Sequence, residues 1–494
     1  EQSKNSGVDV GQWSDEPSGI GRIIWKRIVY DYDLISGNVN KVTYQPNFKH
    51  LPKKVDFYIH KYEYDADNRI VNVQTSSDGI LWEKDAKYQY YAHGPLSRVE
   101  IGNKNVQGVD YAYTLQGWLK AVNGENLASP QNDMGLDGTL SNIYKAKDAF
   151  GYSLNYFDED YKAIGVGDDG VSNSFKPLMF SRNSIGATNR NLYNGNIKQM
   201  VTAIRTNEEA LLEVQKNNYT YDQLNRITGM NSIAITPSTE GIATSKTSVS
   251  SSYSYDRNGN LQSLIRTAFE NTTSSIPTEM DSLSYKYNAT NNQLTKVFDS
   301  ADDLFGPGVD LKKNISELGN YSQSDRTTHN YIYDEIGQLT LDKSENIAIE
   351  WRVDGKVKKV IKNSGEVIID FIYDGLGNRL AKKEFKVGKK SNGIENTTYY
   401  VRDAQGNVLG VYEFTQTKKI RGANQSMLSL KEHHIYGSSR LGLESKDILV
   451  YQNVGCPHCR LGEPNTTASN NQVFTQQQLV GASLSLNQDN SFTW

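Results

Sequence analysis

Cysteine is almost missing from this chain: Cys456 and Cys459 are the only two in 494 residues. Two are too few for a disulfide framework, so the fold must hold itself together by other means. Long apolar runs are missing as well. None approaches the roughly 20 residues that a membrane-spanning helix needs, so no membrane insertion is expected. Neither sign of charge dominates, with 53 Lys and Arg against 57 Asp and Glu. That balance gives no general basis for holding nucleic acid. Proline (11) and glycine (40) fall short of disordered or collagen-like content, while apolar residues, at 37%, are few for a set of compact domains. Helical periodicity is scarce. Thr206 to Lys216 is the best short candidate and reads equally as a strand lead-in. The start, EQSKNSGVDV, is polar and carries neither an initiator Met nor a signal core, so Glu1 reads as a processed or fragment start.

Tyrosine is what the chain has in excess: 31, against 14 Phe and 6 Trp. A Tyr ring can be covered while its hydroxyl stays near water, which suits thin sheets with a wet face. The tyrosines sit in a repeating frame that is clearest from Asn330 to Leu380. There Tyr333-Asp334, Val353-Asp354 and Tyr373-Asp374 occupy equivalent places, each 20 residues after the last. Every step alternates, reaches an Asp, bends at a Gly and alternates again. Period-two alternation suits a strand with one buried face. The Asp can accept backbone N–H groups two residues on, and a Gly three residues later takes a positive φ without a Cβ clash.

This spacing predicts a type I turn followed by a glycine bulge, hence a β-hairpin. Asp256/Gly259, Asp334/Gly337, Asp374/Gly377 and Asp403/Gly406 carry it. Asp65/Asn68 and Asp222/Asn225 put Asn, the next-best left-handed residue, in place of Gly. Asp354-Gly355 reads as a tighter two-residue version, and Asp33 with Gly37 as one residue longer. Gly94 and Gly117 mark two further turns, and Asn288 a weaker copy. Recurrence of this kind indicates a repeat architecture in which each hairpin lends its edge to the next. The expected fold class is all-β: a long antiparallel hairpin ribbon, coiled by strand twist.

No HExxH, GxSxG, P-loop or strand-linked GxGxxG is present, so no catalytic, cofactor-binding or metal residues are expected. The recurring Tyr-Asp pairs read as turn formers rather than acids. Among 57 carboxylates nothing singles out a hydrolytic pair. Cys456-Pro-His-Cys459 matches the motif of thioredoxin-like oxidoreductases, but Arg460-Leu-Gly-Glu-Pro464 does not continue the helix that such a thiolate needs. A local disulfide between Cys456 and Cys459 is the leading reading. His433-His434 reads as strand packing.

The chain divides into a lead-in (1–24), repeats (25–122), an irregular insert (123–200), repeats with long loops (201–329), further repeats (330–445) and a polar tail (446–494). Together these residues carry a family resemblance. The YxYDxxGRL-like units resemble the YD repeats of the RHS family. TTYYVRDAQGNVLGVYEF and EHHIYGSSRLGLE are similar to the start of its associated core domain. GWLKAVNGENL, FGYSLNYFDEDY and LYNGNIKQM resemble segments of large secreted RHS proteins of Bacteroidota. The resemblance covers about Trp25 to Glu444. It implies a ribbon spiralling into a hollow shell, as in RHS toxins, insecticidal toxin complexes and teneurins.

The same resemblance implies a non-catalytic, secreted or cell-surface protein whose partner is its own C-terminal cargo polypeptide, outside this chain. It also points to secretion machinery, with the type IX system as the natural route. The family's self-cleavage is not carried over, because no DPxGL-type finish is present. A surface adhesin or glycan-binding repeat protein is the competing expectation, and a hydrolase with an unseen acid pair is the third.

Overall fold

The computed structural model describes residues 6–10, 26–45, 56–125, 127, 134–139, 142–161, 191–206, 214–236, 241–242, 248–270, 274, 276–301, 325–362, 366–386, 394–417, 425–453, 485–486 and 492–493. Among them there is no α-helix; strands account for the regular structure apart from one 3-10 turn at Arg326–Thr328. The strand pairings are antiparallel throughout. Lys216, in the stretch with the best helical pattern, lies in the Val214–Tyr221 strand, so its strand reading prevails there. The Cys456/Cys459 motif lies outside the described residues.

The chain forms two compact units, one of Glu1–Ala86 with Tyr333–Trp494 and one of Lys87–Ile332. In the second unit the strands run as one meander. Leu96–Ile101 pairs with Gln107–Tyr113, which pairs with Leu119–Val122, then Phe150–Asn155, Gln199–Ile204 and Val214–Tyr221. From there the ladder continues through Ile227–Thr236, Val249–Tyr255, Leu261–Ala268, Thr278–Tyr287 and Leu294–Asp299. The stretch 123–200 has no turn-marked unit, yet it supplies Phe150–Asn155 to this ladder. Its small core holds Leu127, Val201, Ala203 and Val214.

The first unit contains two such runs. One joins Lys26–Tyr32, Val39–Tyr44, Tyr58–Tyr64 and Ile70–Ser76. The other runs from Leu339–Asp342 to Arg440–Asn453 through seven intervening strands. Ile28, Tyr30, Val42, Tyr44 and Tyr58 of the first run pack on Val401, Leu409, Tyr412 and Leu430 of the second. This is the apolar centre of the unit. Away from it the sheet is thin: no described residue from Tyr331 to Leu380 is buried, and most of its strand residues are half-buried on both faces.

Candidate functional site

The hairpin turns repeat one hydrogen-bond pattern. At Asp65, Asp222, Asp256, Asp334, Asp374 and Asp403, the Asp N–H donates to the carbonyl four residues on. The residue three places on donates back to the Asp carbonyl. That residue has positive φ in every case: 61° and 62° at Asn68 and Asn225, 90° at Gly259, 92° at Gly337, 82° at Gly377 and 91° at Gly406. The Asp Oδ1 accepts two loop amides, as at Asp374 from Leu376 (2.9 Å) and Asn378 (2.8 Å). The side chain four residues on closes the ring: Arg69 Nε donates to Asp65 Oδ2 at 2.7 Å, and Asn407 Nδ2 to Asp403 Oδ2 at 2.9 Å. Amide and guanidinium donors therefore hold Asp65 and Asp222 below the usual carboxylate range, and the Asn260 side chain leads the same effect at Asp256.

Asp33 heads a turn one residue longer, closed by Gly37 N–H, and Asn288 heads another closed by Asn292. Gly94 and Gly117 take φ of 115° and 83°. Gly337→Val would force a β-branched residue into φ 92° and is expected to cost about 1–3 kcal/mol. Gly337→Asn should cost far less, since Asn68 and Asn225 occupy the same place. Denaturant melts of both variants check this; equal midpoints would remove the turn's dependence on Gly.

Two features escape the sequence pattern. Asp354-Gly355 is not a two-residue turn. Arg352 N–H donates to the Lys356 carbonyl and Gly355 N–H to the Arg352 carbonyl, so Arg352 stands where the other turns have Asp. The equivalent pairs are Tyr333-Asp334, Trp351-Arg352 and Tyr373-Asp374, and the steps of 20 between them do not hold. The second feature explains the tyrosine excess. The residue before each turn reaches back to a carbonyl just past the preceding turn: Tyr255 to Ile227, Tyr287 to Leu261, Tyr373 to Val357 and Tyr436 to Val408, at 2.8 to 3.0 Å. Trp351 does the same with its indole N–H, to Leu339 at 2.7 Å. Each hydroxyl fastens one hairpin to the one before it, which a Phe cannot do.

In the second unit, three motifs far apart in sequence converge: 117–125 with Leu127, 149–161 and 191–200. Lys120 Nζ donates to Asp160 Oδ1 and Asn155 Oδ1, both at 2.6 Å, and Ser153 donates to Glu125. Burial lowers the Lys120 ammonium, and Asp160 partly counters this. Trp118 packs against Tyr156 with ring centres 5.0 Å apart, and Phe157 against Tyr193 at 4.8 Å, both pairs tilted.

The first unit buries a polar seam between its two runs. Lys26 pairs with Asp56, Tyr412 OH donates to Asp56 at 2.9 Å, and the Tyr44 and Tyr412 hydroxyls lie 2.8 Å apart. Burial pushes Asp56 up, but Lys26, Tyr412 and His433 together outweigh it and hold the carboxyl below its ordinary range. His433 stacks on Tyr58 at 4.4 Å, and His60 Nε2 lies 3.0 Å from the His434 carbonyl. Both His433 and His434 are buried packing residues. No group of three or more His, Cys, Asp and Glu able to hold a metal occurs among the described residues.

No family model and no curated protein matches the chain. Among solved structures it is similar to the pore of the Photorhabdus luminescens Tc holotoxin carrying a TccC3 mutation, with 12% identity over 86% of this chain and a TM-score of 0.47. It is also similar to the TcdB2-TccC3 complex, at 11% identity, the same coverage and the same score. The chain spans less than a fifth of those chains, 18% and 19% of their lengths.

Proposed function

We propose that this chain is a stretch of wall from a hollow, non-catalytic shell of the RHS type. The shell is secreted or displayed at the cell surface and encloses a C-terminal effector polypeptide beyond this sequence. One observation carries the reading. From Ile347 to Lys386 each strand pairs with a neighbour on both sides, yet among the described residues of those strands only Ala381 is buried. A sheet whose two faces both stay accessible is a partition, whereas a sandwich or barrel domain packs one face into a core. The tyrosine hydroxyls bonded from hairpin to hairpin give such a partition stiffness without a second layer. Half-polar faces would hold a non-native polypeptide without fixing it in one pose.

The test uses the intact polypeptide, including whatever follows Trp494. Limited proteolysis followed by electron cryomicroscopy should find the C-terminal segment protected and enclosed by a hollow body. An intact polypeptide whose C-terminal segment is cut freely, beside an open ribbon, would end this reading and return the adhesin alternative.

A further inference from the structure

The shell reading makes no use of the aromatic edge formed where the three motifs of the second unit meet. Tyr193 is 70% exposed, yet the turn that carries it is fastened at several points. Asn191 Nδ2 donates to Asp158 at 3.1 Å, and Lys198 Nζ to Asn191 Oδ1 at 2.9 Å. Asn194 and Asn196 both donate to Asn225 Oδ1, at 2.7 and 3.0 Å. Phe157 lies under Tyr193, tilted by 34°. Gly195 (φ 86°) closes on the half-buried Trp118, where an added Cβ would stand 3.4 Å from the indole. A loop held this firmly that still presents a large ring to water is a preorganised contact surface, because binding there orders nothing further.

The polar rim selects the ligand. Lys198 is buried and already bonded to Asp158 and Asn191. The Asp158 side chain is 68% exposed, so among the described residues of this rim the accessible charge is negative, which disfavours phosphate, sulfate or uronate. Carboxylate oxygens and Asn side chains at the edge of an aromatic face match a ligand with an apolar C–H face and a rim of hydroxyls. We infer that this edge binds a neutral saccharide, with a pyranose ring stacked on Tyr193 and its hydroxyls bonded to Asp158 and Asn194.

The site stands whether or not the chain encloses a cargo, and its test is separate. Saturation-transfer NMR and calorimetry would be run on the 494-residue chain with neutral hexose and N-acetylhexosamine oligosaccharides, and with a proline-rich peptide for comparison. The sugar C–H protons should receive saturation. Tyr193→Ala should weaken binding about tenfold, equivalent to about 1.4 kcal/mol, with an unchanged melting temperature, and Tyr193→Trp should restore it. Three results would overturn the inference: no saccharide bound at millimolar concentration, binding indifferent to Tyr193→Ala, or Tyr193-dependent capture of the peptide in place of sugar.

Discussion

Lowering the pH from 7 to 5 is expected to weaken the first unit by roughly 3 kcal/mol. The cause is the pair of histidines in its seam. Burial depresses His60 to about 4 and His433 to about 3, from an ordinary value of 6.5. Both are therefore neutral in the folded unit, while an unfolded chain begins to bind protons as pH falls through 6.5. Stability is full above that value and declines below it, by up to about 1.4 kcal/mol per pH unit for each group. Around His433, Asp56 favours the charged ring, whereas His60 and Lys446 oppose it. Around His60, the His434 carbonyl and Asp403 favour charge without overcoming burial.

Asp85 works in the opposite direction. Burial raises its carboxyl to about 6, so the folded state takes up its proton first and recovers roughly 1 kcal/mol of the loss. Urea melts and amide exchange over Tyr44 to Tyr64 at the two pH values measure the net effect. His433→Phe keeps a ring against Tyr58 and should halve the pH response. Equal stability of the parent chain at pH 5 and 7 would show that the seam does not bury neutral imidazoles.

The turns were legible because the information is local. An Asp, the left-handed residue three places on and the alternation around them lie within a dozen residues, and backbone sterics fix what they form. Asp354-Gly355 misleads for the same reason: it looks like the head of a two-residue turn, and only the hydrogen bonds reveal that Arg352 heads the turn and Asp354 is its third residue. The tyrosine bonds to earlier carbonyls needed the hairpin spacing in three dimensions, although the recurrence of Tyr before Asp was already visible. The seam was not legible. Tyr44 and Tyr412 stand 368 residues apart, and alternation marks which residues face inward without saying which distant run they meet. The saccharide edge was half legible: its three motifs stood out from the repeat, but nothing in their spacing brings them together.

Arg98→Leu is expected to destabilise the second unit by about 3–5 kcal/mol. Arg98 sits within the sheet, in Leu96–Ile101, and its guanidinium bonds two acids from different segments: Asp110 on the neighbouring strand and both oxygens of Asp137, at 2.6 and 2.8 Å. Asp137 is fully buried and Asp110 nearly so. Removing the guanidinium leaves two carboxylates short of a counter-charge where water cannot easily reach them, which costs far more than the pair contributes over an apolar replacement. Two glycines show how closely the group is fitted, because a Cβ on Gly108 or Gly135 would collide with the guanidinium.

Lysine is no substitute, since a single ammonium cannot fork between two acids. Arg98→Lys should therefore recover only part of the loss. Replacing Arg98, Asp110 and Asp137 together by apolar residues of similar volume should restore most of it. Chemical denaturation of the three variants, with protease mapping of 134–148, separates these outcomes. If Arg98→Leu shifted the midpoint by less than about 1 kcal/mol, the guanidinium would be behaving as a surface pair. It would then not be what ties 134–139 to the sheet.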